Sequence, residues 1–174
     1  MPLPDPTPFL ARLLAALEPA PGALGHLVID HLCYRTATVA DYERLRDALL
    51  ATNDLLAESV IGGRRIATFR LAVPYVYGER RIGLVELPEP KPGSPYPAGW
   101  EHAEFVTDRP LADFATWAEQ KLTLAATAYD RRGLTKARNA DLRLRLPGGL
   151  SVKFHERPLD EVIRSERNEL PPLP

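Results

Sequence analysis

The sequence predicts an α+β chain of two βαβββ modules forming a curled mixed sheet around a cleft, with an N-terminal helical arm. Three observations predict this. A strand-then-helix pattern opens twice, over residues 26–50 and again over residues 100–122. The pairs Gly62-Gly63 and Gly148-Gly149 each divide two apolar runs and mark hairpins. A proline-rich stretch, Pro88 to Pro97, cannot lie inside a sheet and separates the two openings.

The elements follow in order. Phe9, Leu10, Leu13, Leu14 and Leu17 recur at intervals of three and four, which predicts an amphipathic helix over residues 8–18 packed on the body. Thr7 before Pro8 suits its start, Pro19 to Gly22 its end, and residues 1–25 form the arm. His26 to Tyr34 reads as a strand. Thr38-Val-Ala-Asp41 resembles a capping signal, and Tyr42, Leu45, Leu49 and Leu50 give the next helix its apolar residues. Leu55 to Ile61, Arg65 to Val73 and Arg81 to Leu87 supply three more strands and complete module one, residues 26–87. After a linker at 88–98, module two occupies 99–158. Trp100 to Thr107 is its first strand. Pro110 stands at the favoured first helical position ahead of Leu111, Phe114, Trp117 and Leu122. Leu142 to Leu146 and Leu150 to His155 form a hairpin. Residues 123–140 have no clear period, and the missing strand is expected near Leu134–Ala137. Leu159 to Glu166 reads as a helix closing the 26–166 domain, with 167–174 as a tail that frays at Pro171 to Pro174.

Composition narrows the function classes. Hydrophobic residues at 45% and charged residues at 26% are ordinary for a globular chain. Cys33 is the single cysteine, which excludes an intrachain disulfide and a Cys-rich zinc ribbon. The net charge of -1 and the lack of a basic stripe predict no nucleic-acid partner. The N-terminus lacks the basic and apolar regions of a signal peptide, and no run of about 20 apolar residues exists, so a cytoplasmic chain without a membrane partner is expected. A small-molecule ligand and a monomer or homodimer are the expected partners.

Strand alternation selects the chemistry. Leu27, Ile29, His31, Cys33 and Arg35 share one side of the first strand. Ile82, Leu84 and Glu86 share a side of the fourth, Trp100, His102 and Glu104 of the fifth, and Ser151, Lys153 and His155 of the last. If those sides line one cavity, His31, Glu86 and His102 converge there. Imidazole and carboxylate suit divalent Zn, Fe, Mn, Co or Ni, and three such ligands leave positions open for water or substrate. The plainer alternative is a set of hydrogen-bonded core histidines and a solvated Glu86. His26 lies off the His31 face and reads as structural or solvated, and Cys33 as a small core residue. The two openings agree locally, since Asp30-His31-Leu32 and Glu101-His102-Ala103 each place an acid, a histidine and an apolar residue in an apolar strand.

Asp30-His31-Leu32-Cys33-Tyr34-Arg35, Ile61-Gly62-Gly63-Arg64, Val85-Glu86-Leu87-Pro88, Gly99-Trp100-Glu101-His102 and Lys153-Phe154-His155, in that order, resemble the YecM family. That family is a branch of the vicinal oxygen chelate superfamily, which also holds glyoxalase I, extradiol dioxygenases, methylmalonyl-CoA epimerase and the fosfomycin resistance proteins. The resemblance covers roughly residues 9–166. It implies paired βαβββ modules around a metal-containing cleft, with a ligand from the first and last strand of each module. His31, Glu86 and His102 match three positions. Counted from the Gly149 turn, the fourth falls on Lys153, whose ammonium cannot ligate. Counted by the repeat, it falls nearer His155.

The expected function is divalent-metal binding, by a metal-dependent isomerase, lyase or dioxygenase acting on a small oxygen-rich metabolite. Glu104 or Lys153 is then the acid or base, with Arg35 lining the cleft. The plainer role for Glu104 is as partner of Lys153 or Arg35. The alternative function is a non-enzymatic small-molecule binder using the same cleft.

Overall fold

The computed structural model describes residues 2–17, 22, 24–93, 95–122, 124–137 and 139–169. Among the described residues, four α-helices and eight strands follow the expected order. Helix α1 (Thr7–Leu17) precedes module one, made of β1 (Val28–Arg35), α2 (Val39–Leu50), β2 (Asp54–Ile61), β3 (Arg64–Tyr77) and β4 (Arg80–Pro88). Module two is β5 (Gly99–Val106), α3 (Leu111–Lys121), β6 (Tyr129–Asp130), β7 (Leu142–Arg145) and β8 (Ser151–His155), and α4 (Leu159–Glu169) follows. The strands form one open mixed sheet in the order β2-β3-β4-β1-β5-β8-β7-β6. Strand β1 pairs parallel with β4, β5 pairs parallel with β8, and β1 meets β5 antiparallel. The modules therefore abut along β1 and β5 in mirrored strand order, which matches the predicted α+β architecture of paired βαβββ units.

The two faces of the sheet differ in chemistry. Phe69, Val85, Leu32, Ala103, Val152 and Leu144 succeed one another from β3 to β7, and all are buried. Helices α1, α2 and α3 cover this face. Phe9, Leu10, Leu13 and Leu17 of α1 share a core with Phe105, Phe114 and Phe154, so the predicted arm is part of the main core. Tyr42, Leu45 and Leu49 of α2 pack on Phe69, Val85 and Leu87. Each large apolar side chain so buried contributes about 1.5–3 kcal/mol. The opposite face is polar at its centre, and α4 docks beside it through Leu159 and Ile163 against Leu84.

Local chemistry sets the element ends. The Thr38 side chain accepts from the Asp41 amide and caps α2. Gly62 and Gly63, both at positive φ, turn β2 into β3. Between β4 and β5, Glu89 binds Arg65 and the Tyr96 hydroxyl accepts from Arg64, so the connector is pinned at two points.

Four expectations change. Leu50 is exposed rather than part of the α2 core face. Pro110 occupies the N-cap of α3, one position before the first helical residue. The remaining module-two strand is β6 at Tyr129–Asp130; Arg132–Thr135 is instead a 3-10 turn. There Gly133 packs on Asp141 so closely that a Cβ would meet its carbonyl oxygen at 2.4 Å, which leaves no room for a side chain at that turn. Residues 167–169, expected as tail, continue α4, while 170–174 and, apart from Gly22, the predicted helix stop at Pro19 to Gly22 lie outside the described residues.

Candidate metal centre

Two bulges shape the site. The pairing of β1 with β5 shifts between Ile29 and His31, leaving Asp30 as an extra residue, and shifts again opposite Glu101. In a regular strand these acids would point away from the histidines that follow them. The bulges bring both acids back. Asp30 Oδ2 lies 2.8 Å from His31 Nδ1, and Glu101 Oε2 lies 3.3 Å from His102 Nδ1. The same shifts correct two sequence assignments. Ile29 pairs with Phe105 in the helix-covered core, and Trp100 packs edge-on against Tyr34, so neither lines the cleft.

The polar face is two cross-strand rows. Arg143, Lys153, Glu104, His31 and Leu84 are successive partners from β7 to β4, and Ser151, His102, Cys33 and Glu86 form the adjacent row from β8 to β4. His31, Glu86, His102 and Glu104 each offer a donor atom within 4.8 Å of the others. His102 Nε2 stands 3.0 Å from Glu104 Oε1, while His31 Nε2 stands 3.4 Å from that oxygen and 3.6 Å from Glu86 Oε2. Lys153 Nζ also reaches Glu104 Oε1. Register makes Lys153 the counterpart of Glu86: Glu86 pairs with the residue two beyond His31, and Lys153 with the residue two beyond His102.

His155 is placed apart from this set. Its Nε2 is buried without a hydrogen-bond partner, 3.6 Å from Asp30 Oδ2 and 3.8 Å from Glu104 Oε2. It groups instead with Asp30 and His31. Arg35 binds Glu101 and stacks on Tyr96 at the end of β1. His26 is half-exposed beside Asp108, away from the cluster.

The electrostatics favour charged groups despite burial. Burial opposes a proton on His31, but Glu104, Glu86 and Asp30 outweigh it and raise its pKa well above the usual imidazole range. Burial likewise opposes charge on His102, yet Cys33 and Glu101 raise it. For Glu104, burial is outweighed by Lys153, His31 and His102, which hold the carboxyl well below its usual range. Glu86 is lowered chiefly by His31 against its own burial. Glu101 falls to about 2 as His102 and Arg35 overcome its burial.

These residues fit a divalent cation. Donors about 2.1 Å from one ion lie about 3.0 Å apart at right angles and about 3.4 Å apart at tetrahedral angles. The observed separations of 3.0, 3.4 and 3.6 Å are of that size. His31 Nε2 is buried with no hydrogen-bond partner and faces the two carboxylates. Two imidazoles with carboxylate oxygens suit Zn, Mn, Fe, Co or Ni.

Sequence reasoning did not assign Asp30 and Glu101 to the site, although the repeated acid-histidine pair was its signal. Cys33 is buried as expected, and its Sγ is 3.8 Å from Glu101 Oε2 and groups with Glu101 and His102.

A family model described as "YecM protein" matches residues 5–166. Protein YecM of Escherichia coli K12 is 28% identical over 172 residues, covering 91% of each sequence. A solved structure titled "Structural Genomics, Protein EC4020" aligns with a TM-score of 0.70 at 28% identity, over 94% of this chain and 88% of its own. A methylmalonyl-CoA epimerase of Streptomyces coelicolor, solved with 2-nitronate-propionyl-CoA, aligns over 74% of this chain and 96% of its own, with a TM-score of 0.47 at 16% identity.

Proposed function

The chain belongs to the YecM family, and we propose that it holds one divalent cation through His31, Glu86, His102 and Glu104 and uses it to bind a small oxygen-rich metabolite. The observation that carries this reading is the His31 Nε2, buried and unpartnered, facing two carboxylate oxygens at 3.4 and 3.6 Å. An unpaired polar atom in a dry interior is costly, and a cation would relieve it.

The bound cation supplies Lewis acidity, polarising a carbonyl or hydroxyl oxygen of the ligand. The protein's own residues do the rest. Asp30 holds the His31 Nδ1 proton and so leaves Nε2 as the free donor. Glu101 lies 3.3 Å from His102 Nδ1 without a hydrogen bond to it, and His102 Nε2 faces Glu104 Oε1. Lys153 neutralises Glu104 and sits where it can pass a proton to a developing oxyanion. That arrangement supports an isomerase, lyase or dioxygenase reaction.

A second reading, a non-enzymatic binder, is favoured by Lys153 itself, a cation standing at the register position where module one carries an acid. Turnover of an oxygen-rich metabolite by the metal-loaded chain separates the two. The cation site itself is tested by metal analysis of protein purified without chelator or a His-rich tag. One equivalent in wild type and none in His31→Ala supports it, whereas no metal in either removes it.

A further inference from the structure

Beside the cluster, on the module-two side, a cavity of about 280 Å³ is lined by Arg132, Lys136, Arg143 and Lys153 together with Asp130 and Asp141. Its acids are already engaged: Asp130 binds Arg132 and Arg145, and Asp141 binds Lys136. Arg143 and Lys153 are placed differently. They are direct cross-strand partners on β7 and β8, in the same row as Glu104 and His31. Like charges so opposed destabilise a sheet unless anions lie between or above them. Glu101, 3.6 Å from Arg143, and Glu104, on Lys153, offset part of this charge. The Arg143 Nη2 donates to Ser151 Oγ, but its Nε is buried with no hydrogen-bond partner.

We propose that Arg143 and Lys153 form a subsite for the distal carboxylate of the ligand, which makes the substrate class a small dicarboxylic 2-oxo or 2-hydroxy acid. The proposal deepens the cation reading and rests on it for the position of the vicinal oxygens. Neighbouring strands are about 4.8 Å apart, so Arg143 lies about 10 Å across the sheet from Glu104, with Lys153 between. A carboxylate anchored there leaves a vicinal oxygen pair of the same short molecule beside Glu104 and His31. The cavity volume, at the low end for ligand sites, suits a metabolite of this size. Arginine's planar fork matches a carboxylate in two hydrogen bonds, and the unpartnered Nε is one prong of it.

The test uses the full chain, with Mn2+ and 2-oxoglutarate as probes and catechol as an uncharged vicinal-oxygen control. Mn2+ is titrated alone first, by calorimetry and by its paramagnetic resonance, so that the cation reading stands or falls separately. In wild type and Arg143→Met the Mn2+ affinities should agree within about twofold, while 2-oxoglutarate binds Arg143→Met at least about tenfold more weakly. Arg143→Lys, which keeps the charge but loses the fork, should weaken binding less, and it decides the matter if Arg143→Met does not fold. Catechol should bind wild type and variants alike. If Mn2+ does not bind, the same 2-oxoglutarate titration in EDTA decides the subsite on its own. Equal 2-oxoglutarate binding by wild type and the folded variants, or none by wild type, overturns the proposal.

Discussion

Asp30 and Glu101 occupy equivalent bulges on β1 and β5, and each turns its carboxylate toward the Nδ1 of the histidine that follows it. The repeated acid-histidine pair is therefore one device built twice. Asp30 is hydrogen-bonded to His31 Nδ1 and leaves Nε2 for the cleft, while Glu101 approaches His102 Nδ1 to 3.3 Å, and both bulges lie on the seam where the modules meet.

Asp30 also accepts from the Leu159 amide at the start of α4, so it ties the helix to the site. Asp30→Asn keeps the shape but loses the charge. It should weaken Zn2+ or Mn2+ affinity by about 10–100-fold, the usual cost of a lost carboxylate behind a ligating histidine. Amide exchange in α4 should quicken in the same variant. Unchanged affinity in calorimetry together with unchanged exchange would show that Asp30 is incidental.

Lys153 compensates Glu104, which is buried. Lys153→Met leaves that carboxylate without its ammonium and should cost the metal-free protein about 2–4 kcal/mol, somewhat below the range of about 3–5 for a fully buried pair because Lys153 stays partly exposed. Urea unfolding measures this. Saturating Zn2+ should restore more stability to Lys153→Met than to wild type, and an equal gain in both would contradict the charge exchange.

The histidine shifts set opposite pH trends with and without metal. His31 and His102 have raised folded-state values. In the metal-free protein, their charged forms contribute stability that is fully present below the unfolded value of about 6.5 and is lost as pH rises through the folded values. A cation needs both rings deprotonated, so its affinity rises over the same interval. Thermal unfolding from pH 6 to pH 9 should therefore show a widening gap between metal-loaded and metal-free protein. A gap that narrows with pH would contradict the assignment.

Glu101 gives the acid limb. Its folded value of about 2 lies below the unfolded value of about 4.3, so its contribution is present above about pH 4.3 and disappears as pH falls toward 2. Glu101→Gln should lower stability at pH 7 by of order 1–3 kcal/mol and flatten the fall between pH 4 and pH 2. A wild-type slope in the variant would assign the acid limb to other carboxyls.

Much of the fold is legible in the chain because its signals are local. Gly62 and Gly63 demand a turn whatever surrounds them, and the Thr38–Asp41 cap is complete within one helical turn. The convergence of His31, Glu86 and His102 on one face is legible too, because alternation holds on the stretches that carry them. What alternation misplaces, Ile29 and Trp100, lies beyond the bulges. A bulge is a property of two paired strands, and β1 and β5 are separated by all of module one. Gly133 presents the same difficulty, since its packing partner Asp141 is fixed by tertiary contact rather than local preference. Glu104 was read as an acid or base or a partner of Lys153; its place among the donors follows from register, because β8 puts Lys153, not a carboxylate, beside it.

The central claim is that one cation sits among His31, Glu86, His102 and Glu104. It is tested most directly by calorimetric titration of chelator-stripped protein with Zn2+ and Mn2+, comparing wild type with His102→Ala and His26→Ala. His26 is half-exposed beside Asp108, so its loss leaves the cluster intact. Wild type and His26→Ala should each take up one equivalent, and at a free concentration 100 times Kd they should gain about 2.7 kcal/mol of stability. His102→Ala should show neither uptake nor gain. Equal uptake by all three proteins, or uptake by none, contradicts the claim.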